Sequence, residues 1–179
     1  MNAVVTIGSA RLDGKYNTAE QEPFRFDDIA QVSEGDMRER FLLDEVRMRI
    51  GTFNFIRPGS PLLDFCMSLQ SALRGLAVSG KSAISFPGTL TQIRLALIDD
   101  TVHVRSTSEA HGRGECTFIR LMGAVCVFQR SALDNVTRED PNLLLNDLVE
   151  RLYREYGVRQ LGKEQFARHT QAVRRRHGV

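Results

Sequence analysis

Between Ser60-Pro61 and Gly80 the chain carries Leu62, Phe65, Cys66, Leu69, Leu73, Leu76 and Ala77 at helical spacing. Serine followed by proline is a helix-start signal, because the serine oxygen can cap a free N–H and proline has no N–H to leave unpaired. Glycine closes such a helix by taking the left-handed conformation. The segment therefore predicts an amphipathic helix, and its apolar stripe is stable only if it covers another apolar surface. That requirement constrains the rest of the chain, which must supply a sheet face.

Strand-like alternation flanks the helix on both sides. Val46, Met48 and Ile50 alternate with Arg47 and Arg49; after Gly51, Phe53 and Phe55 continue in the opposite phase, which predicts a bulge or a tight reversal at the glycine. Ser82 to Phe86 reads as a short strand closed by Pro87-Gly88. Ile93, Leu95 and Leu97 then alternate with polar or small residues, as do Val102 and Val104 beyond Asp99-Asp100. A hairpin turning on the two aspartates sets Leu97 opposite Val102 and Leu95 opposite Val104. The same register sets Arg94 opposite Arg105.

Ser106 to Glu115 reads as a polar, glycine-containing loop. Cys116 to Phe128 is apolar on both faces, which predicts two buried strands or one long bulged strand, with a helix over 122–135 as the alternative. Asp140-Pro141 opens a second amphipathic helix with Leu144, Leu145, Leu148, Val149, Leu152 and Tyr156 on one stripe and Gly157 as its stop. The expected fold is α+β: a mostly antiparallel sheet with two main amphipathic helices on one face. A third helix at the C-terminus would carry Phe166, Thr170 and Val173. The corresponding division is a loosely structured arm over 1–40, a core domain over 41–158, and a basic tail or helix over 159–179. The arm would start with an edge strand at Val4 to Ile7 and dock Phe24 and Phe26 on the core.

Chemistry-bearing motifs are few. Gly75-Leu76-Ala77-Val78-Ser79-Gly80-Lys81-Ser82 satisfies the phosphate-loop pattern G-x-x-x-x-G-K-[ST] letter for letter. That loop works by joining a strand to a helix whose N-terminal N–H groups cradle phosphate. Here a helix precedes the motif and a strand follows it, so Gly80 reads as a helix cap and a nucleotide-dependent enzyme is the remote alternative. His103, Glu109, His111 and Cys116 are of metal-ligand type without the tight spacing of a zinc site. Cys66 sits on an apolar stripe, and the paired carboxylates fall at turns or helix starts. No catalytic residue, cofactor or metal is expected.

Charge is then the remaining guide. The chain has 179 residues and a net charge of +2, with 24 basic residues, of which only Lys15, Lys81 and Lys163 are lysine, against 22 acidic ones. Arginine favours planar, bidentate contact with carboxylate or phosphate, although a bulk bias also follows from codon usage. The arginines of interest are local: Arg47 and Arg49 on one strand face, Arg94 and Arg105 facing each other with His103 beside them, and Arg120 on a predicted strand. Like charges directly across a strand pair repel, so this register calls for a compensating carboxylate, such as Asp44, Glu45 or an acid of the N-terminal arm, or for an external anion. Three cysteines without a C-x-x-C pair, no secretory leader and no apolar stretch of membrane-spanning length point to a cytoplasmic setting without membrane contact.

The layout resembles the small α+β immunity-type proteins that accompany bacterial polymorphic toxins. The strand Glu45–Ile56, the helix start Ser60-Pro61-Leu62-Leu63-Asp64-Phe65 with Leu69 and Leu73 behind it, the Ile93–Arg105 hairpin and the Leu144–Tyr156 helix carry the resemblance, over roughly 41–156. It implies a non-enzymatic protein that binds and blocks a toxin. Such proteins are usually acidic when the target is a nuclease, and this chain is slightly basic. The expected function is recognition of a protein partner through Arg47, Arg49, Arg94, His103, Arg105 and Arg120. The alternative is nucleic-acid binding by the same face and by the Arg174-Arg175-Arg176 tail.

Overall fold

A computed structural model describes residues 4–11, 29–39 and 42–156. The expectations for Phe24, Phe26, Gly157, the C-terminal helix and the arginine tail lie outside the described residues. The strands divide between two antiparallel sheets, and the fold is α+β.

The first sheet has the order β1 (Val5–Arg11), β2 (Leu43–Ile50), β3 (Phe53–Pro61), with β1 at its edge. Between β1 and β2 the chain forms a short helix, α1 (Glu34–Glu39). Gly51, at φ 58°, and Thr52 form a tight reversal that pairs Ile50 with Phe53. The phase change in the sequence is thus a turn; the irregularity of β2 lies between Asp44 and Val46. Val46, Met48, Ile50, Phe53 and Phe55 are buried, while Arg47, Arg49, Asn54 and Ile56 face outward.

Helix α2 (Leu62–Ser79) begins one residue later than the serine–proline signal implies, because β3 runs on through Pro61, which becomes the cap. Ser60 is buried and its Oγ donates to the Arg57 carbonyl at 3.4 Å instead of capping the helix. Gly80 ends α2 at φ 69°, its N–H bonded to the Leu76 carbonyl at 2.9 Å. The phosphate-loop letters therefore run from helix to strand, opposite to the order that builds a phosphate cradle. Gly75 has its own structural reason: a Cβ there would come within 2.8 Å of Ser82 Oγ, where α2 lies against the next strand.

The second sheet has the order β4 (Lys81–Ser85), β5 (Gln92–Ile98), β6 (Thr101–Ser106), β7 (Arg113–Thr117). The β5–β6 hairpin turns on Asp99-Asp100 with Asp99 at φ 52°, and pairs Leu97 with Val102, Leu95 with Val104 and Arg94 with Arg105, as the alternation predicts. β7 ends at Thr117, whose side chain accepts from the Arg120 N–H at the start of a 22-residue helix, α3 (Phe118–Glu139). This corrects the preferred reading of Cys116 to Phe128 as strands. Leu121, Val125, Phe128 and Ala132 form the buried stripe of α3 while Ile119, Met122 and Val127 stay exposed, so apolar residues on both sides concealed the helical period. A 3₁₀ turn (Pro141–Leu145), opened by the Asp140 side chain, leads into α4 (Asp147–Tyr156).

One apolar cluster joins the inner faces of both sheets to α2 and α3. A chain of rings crosses it: Phe55 stacks on Phe86 at 4.8 Å, Phe86 on Phe65 at 5.8 Å, and Phe65 meets Phe128 edge-on at 5.6 Å. A second cluster lies among the helices, with Ile29, Met37, Leu63, Leu133, Leu144, Leu148 and Leu152. There the buried Asn146 donates to the carbonyls of Ile29 and Val32 at 3.0 Å each and accepts from Leu148 N–H, tying the 29–33 segment to α4. The sheets meet at β7, where Gly114 lies against Ile50 and Phe53 and Thr52 Oγ1 donates to the Arg113 carbonyl at 2.6 Å. No helix among the described residues is long and apolar enough to cross a membrane.

Candidate anion-binding face

Alternation along the second sheet sends Ile84, Ile93, Leu95, Val102, Val104 and Cys116 into the core. The intervening residues therefore form an outer face. Antiparallel register organises that face into rows across the strands. One row is Ala83, Arg94, Arg105, Arg113, each paired with the next; the adjacent row is Lys81, Ala96, His103, Glu115. With strands about 4.8 Å apart, the three arginine Cα atoms span about 10 Å. The rows line a groove of about 600 Å³.

Lys81, Arg94, Arg105 and Arg113 form no ion pair with any described residue. The acid on this face, Glu115, is engaged by His103, whose Nδ1 lies 2.9 Å from Glu115 Oε1. Among the described residues, repulsion within the arginine row is thus left without a counter-charge, while Ala83 and Ala96 leave space between the long side chains. Fork-shaped guanidinium groups at successive strand positions suit a series of carboxylates or phosphates.

The structure divides the arginines singled out from sequence. Arg94, His103 and Arg105 share the second sheet's outer face. Arg47 and Arg49 lie on the outer face of the first sheet, where Arg47 is neutralised by Glu45 at 2.5 Å. Arg120 stands in the first turn of α3 and not on a strand, because β7 has already ended. Arg113 was missed, since the glycines around it read as loop. Its signal was the alternation Arg113-Gly114-Glu115-Cys116, which continues the polar-out pattern of β6.

The metal-ligand types do not converge: among the described residues no group of three or more His, Cys, Asp or Glu could hold a metal ion. His111 packs on the Phe55 ring at 5.0 Å and its Nδ1 lies 3.2 Å from the Asn54 carbonyl. Burial pushes the Cys66 thiol up to about 12, helped by the nearby Asp44 charge. Burial likewise raises Cys116 to about 11 against the opposing pull of Arg120. Both are neutral thiols at pH 7, unsuited to nucleophilic attack; Cys126 is exposed. Neither a family model, nor a curated protein, nor a solved structure matches the chain.

Proposed function

We propose that this chain is a non-enzymatic binding protein that recognises an acidic segment of a protein partner on the outer face of the second sheet. The observation that carries it is the row Arg94, Arg105, Arg113, three aligned cations with no ion-pair partner among the described residues. Aligned like charges cost folding energy, and an acidic ligand converts that cost into affinity. Protein is favoured over single-stranded nucleic acid because the groove lining offers no Phe, Tyr or Trp on which bases could stack. The resemblance of the sequence layout to immunity-type proteins leads us to propose inhibition of a toxin by direct contact as the setting.

Fluorescence anisotropy with a labelled Glu-rich peptide tests the face. Arg94→Glu with Arg105→Glu reverses two charges at exposed positions and should abolish binding, whereas Arg47→Glu with Arg49→Glu should leave it within about twofold, the two faces being separate. Equal affinity for wild type and the Arg94/Arg105 variant would remove the proposal. Tighter binding of single-stranded DNA than of the peptide would favour the nucleic-acid alternative.

A further inference from the structure

β4 ends the second sheet: among the described residues no strand pairs with its other side. The phase of its ladder is fixed by the Leu97 N–H, which donates to the Gly80 carbonyl at 2.7 Å. In an antiparallel pair, main-chain groups point alternately toward and away from the neighbouring strand. The Gly80 carbonyl and both main-chain groups of Ser82 and Ile84 therefore face β5, and Lys81, Ala83 and Ser85 direct theirs outward. Ser79 Oγ already donates to the Lys81 carbonyl at 2.9 Å. Among the described residues no further hydrogen bond engages the N–H and C=O groups of Ala83 and Ser85, which form a pairing edge beginning at the Ala83 rim of the cationic groove.

We infer that the acidic segment binds as an added strand on β4, with carboxylates at alternate positions directed over Lys81 and Arg94. The inference rests on the proposed function above and specifies the partner's conformation. In an added strand every second side chain lies on the outer face, level with Lys81, Ala83 and Ser85. Because Ala83 is paired with Arg94, a Glu placed opposite Ala83 faces the Arg94 guanidinium across a single methyl group. Two residues along, a second carboxylate lies beside Lys81. Main-chain hydrogen bonds would supply affinity, and the alternating charge would set register and exclude neutral strands.

The test uses the whole chain and an acetylated peptide of alternating Glu and Thr. Ala83→Pro removes one outward N–H and leaves the β5 ladder intact, a position where edge strands accept proline. It should weaken the peptide by up to about tenfold, as expected for one lost main-chain bond. The same peptide N-methylated at alternate residues should lose as much against the wild-type protein, a comparison that does not depend on the variant's folding. Hydrogen exchange at Ala83 and Ser85 should slow when the unmodified peptide binds. Unchanged affinity for the N-methylated peptides, with methyl groups in either phase, and unprotected Ala83 and Ser85 amides would overturn strand addition. If Arg94→Glu with Arg105→Glu still abolished binding in that case, the acidic-partner proposal would stand. Loss of the charge dependence as well would remove both.

Discussion

Gly114 shows how much of the architecture can rest on one missing side chain. A Cβ there would overlap the Ile50 carbonyl oxygen and approach Phe53 Cβ to 2.8 Å. Neither neighbour can step aside, since both belong to the β2–β3 reversal. Gly114→Ala should therefore cost about 3 kcal/mol, at the upper end of the overpacking range, read as a lower midpoint in guanidinium denaturation. A loss below about 0.5 kcal/mol, the level of neutral surface changes, would show that the sheets are not in contact at this point. The cysteines give a second residue-scale prediction. At pH 8 iodoacetamide should label Cys126 in the folded protein, and Cys66 and Cys116 only after unfolding, because burial keeps both thiols covered and protonated. The folded-state pKa values lie above the unfolded thiol value. The stabilisation they bring is therefore complete below about pH 8.5 and is lost as pH rises toward about 11 for Cys116 and about 12 for Cys66. Rapid labelling of Cys66 in the native state would contradict the packing described.

Among the elements, the β5–β6 hairpin was legible in sequence and α3 was not. In the hairpin, apolar residues occur at every second position on both sides of a two-residue turn, so phase and turn length together determine the register. In α3, the exposed Ile119, Met122 and Val127 interrupt the contrast between faces, and a short apolar run then fits a strand equally well. The helix start at Ser60-Pro61 was displaced by one residue because the strand and the helix share Pro61. Arg113 escaped notice for a related reason: its strand has glycines on both sides, at Gly112 and Gly114, and one of them is required by sheet contact rather than by a turn. The arginine row makes a prediction at this scale. Arg105 faces Arg94 on one side and Arg113 on the other, so Arg105→Thr should raise folding stability by about 1 kcal/mol at low ionic strength, two relieved oppositions at roughly 0.5 kcal/mol each. The gain should shrink in high salt as screening weakens the repulsion. A destabilised variant, or one with no salt dependence, would mean that the row carries no electrostatic strain.

For the molecule as a whole, two sheets and their helices share a core, and among the described residues no helix or strand covers the outer face of the second sheet. The α+β class followed from amphipathic helices between alternating strands, but the division into two sheets did not. Alternation specifies which side of a strand is buried and says nothing about whether successive hairpins join edge to edge; that depended on Gly114 allowing β7 to lie against the β2–β3 turn. The same division separated the expected arginine surface, leaving Arg47 and Arg49 on one face and the row of Arg94, Arg105 and Arg113 on another. Recognition of an acidic segment by that row is most directly tested by following arginine side-chain Nε–Hε resonances while a Glu-rich peptide is added. The resonances of Arg94, Arg105 and Arg113 should shift together and saturate with a single affinity while those of Arg47 and Arg49 stay in place; shifts confined to Arg47 and Arg49, or none at all, would contradict it.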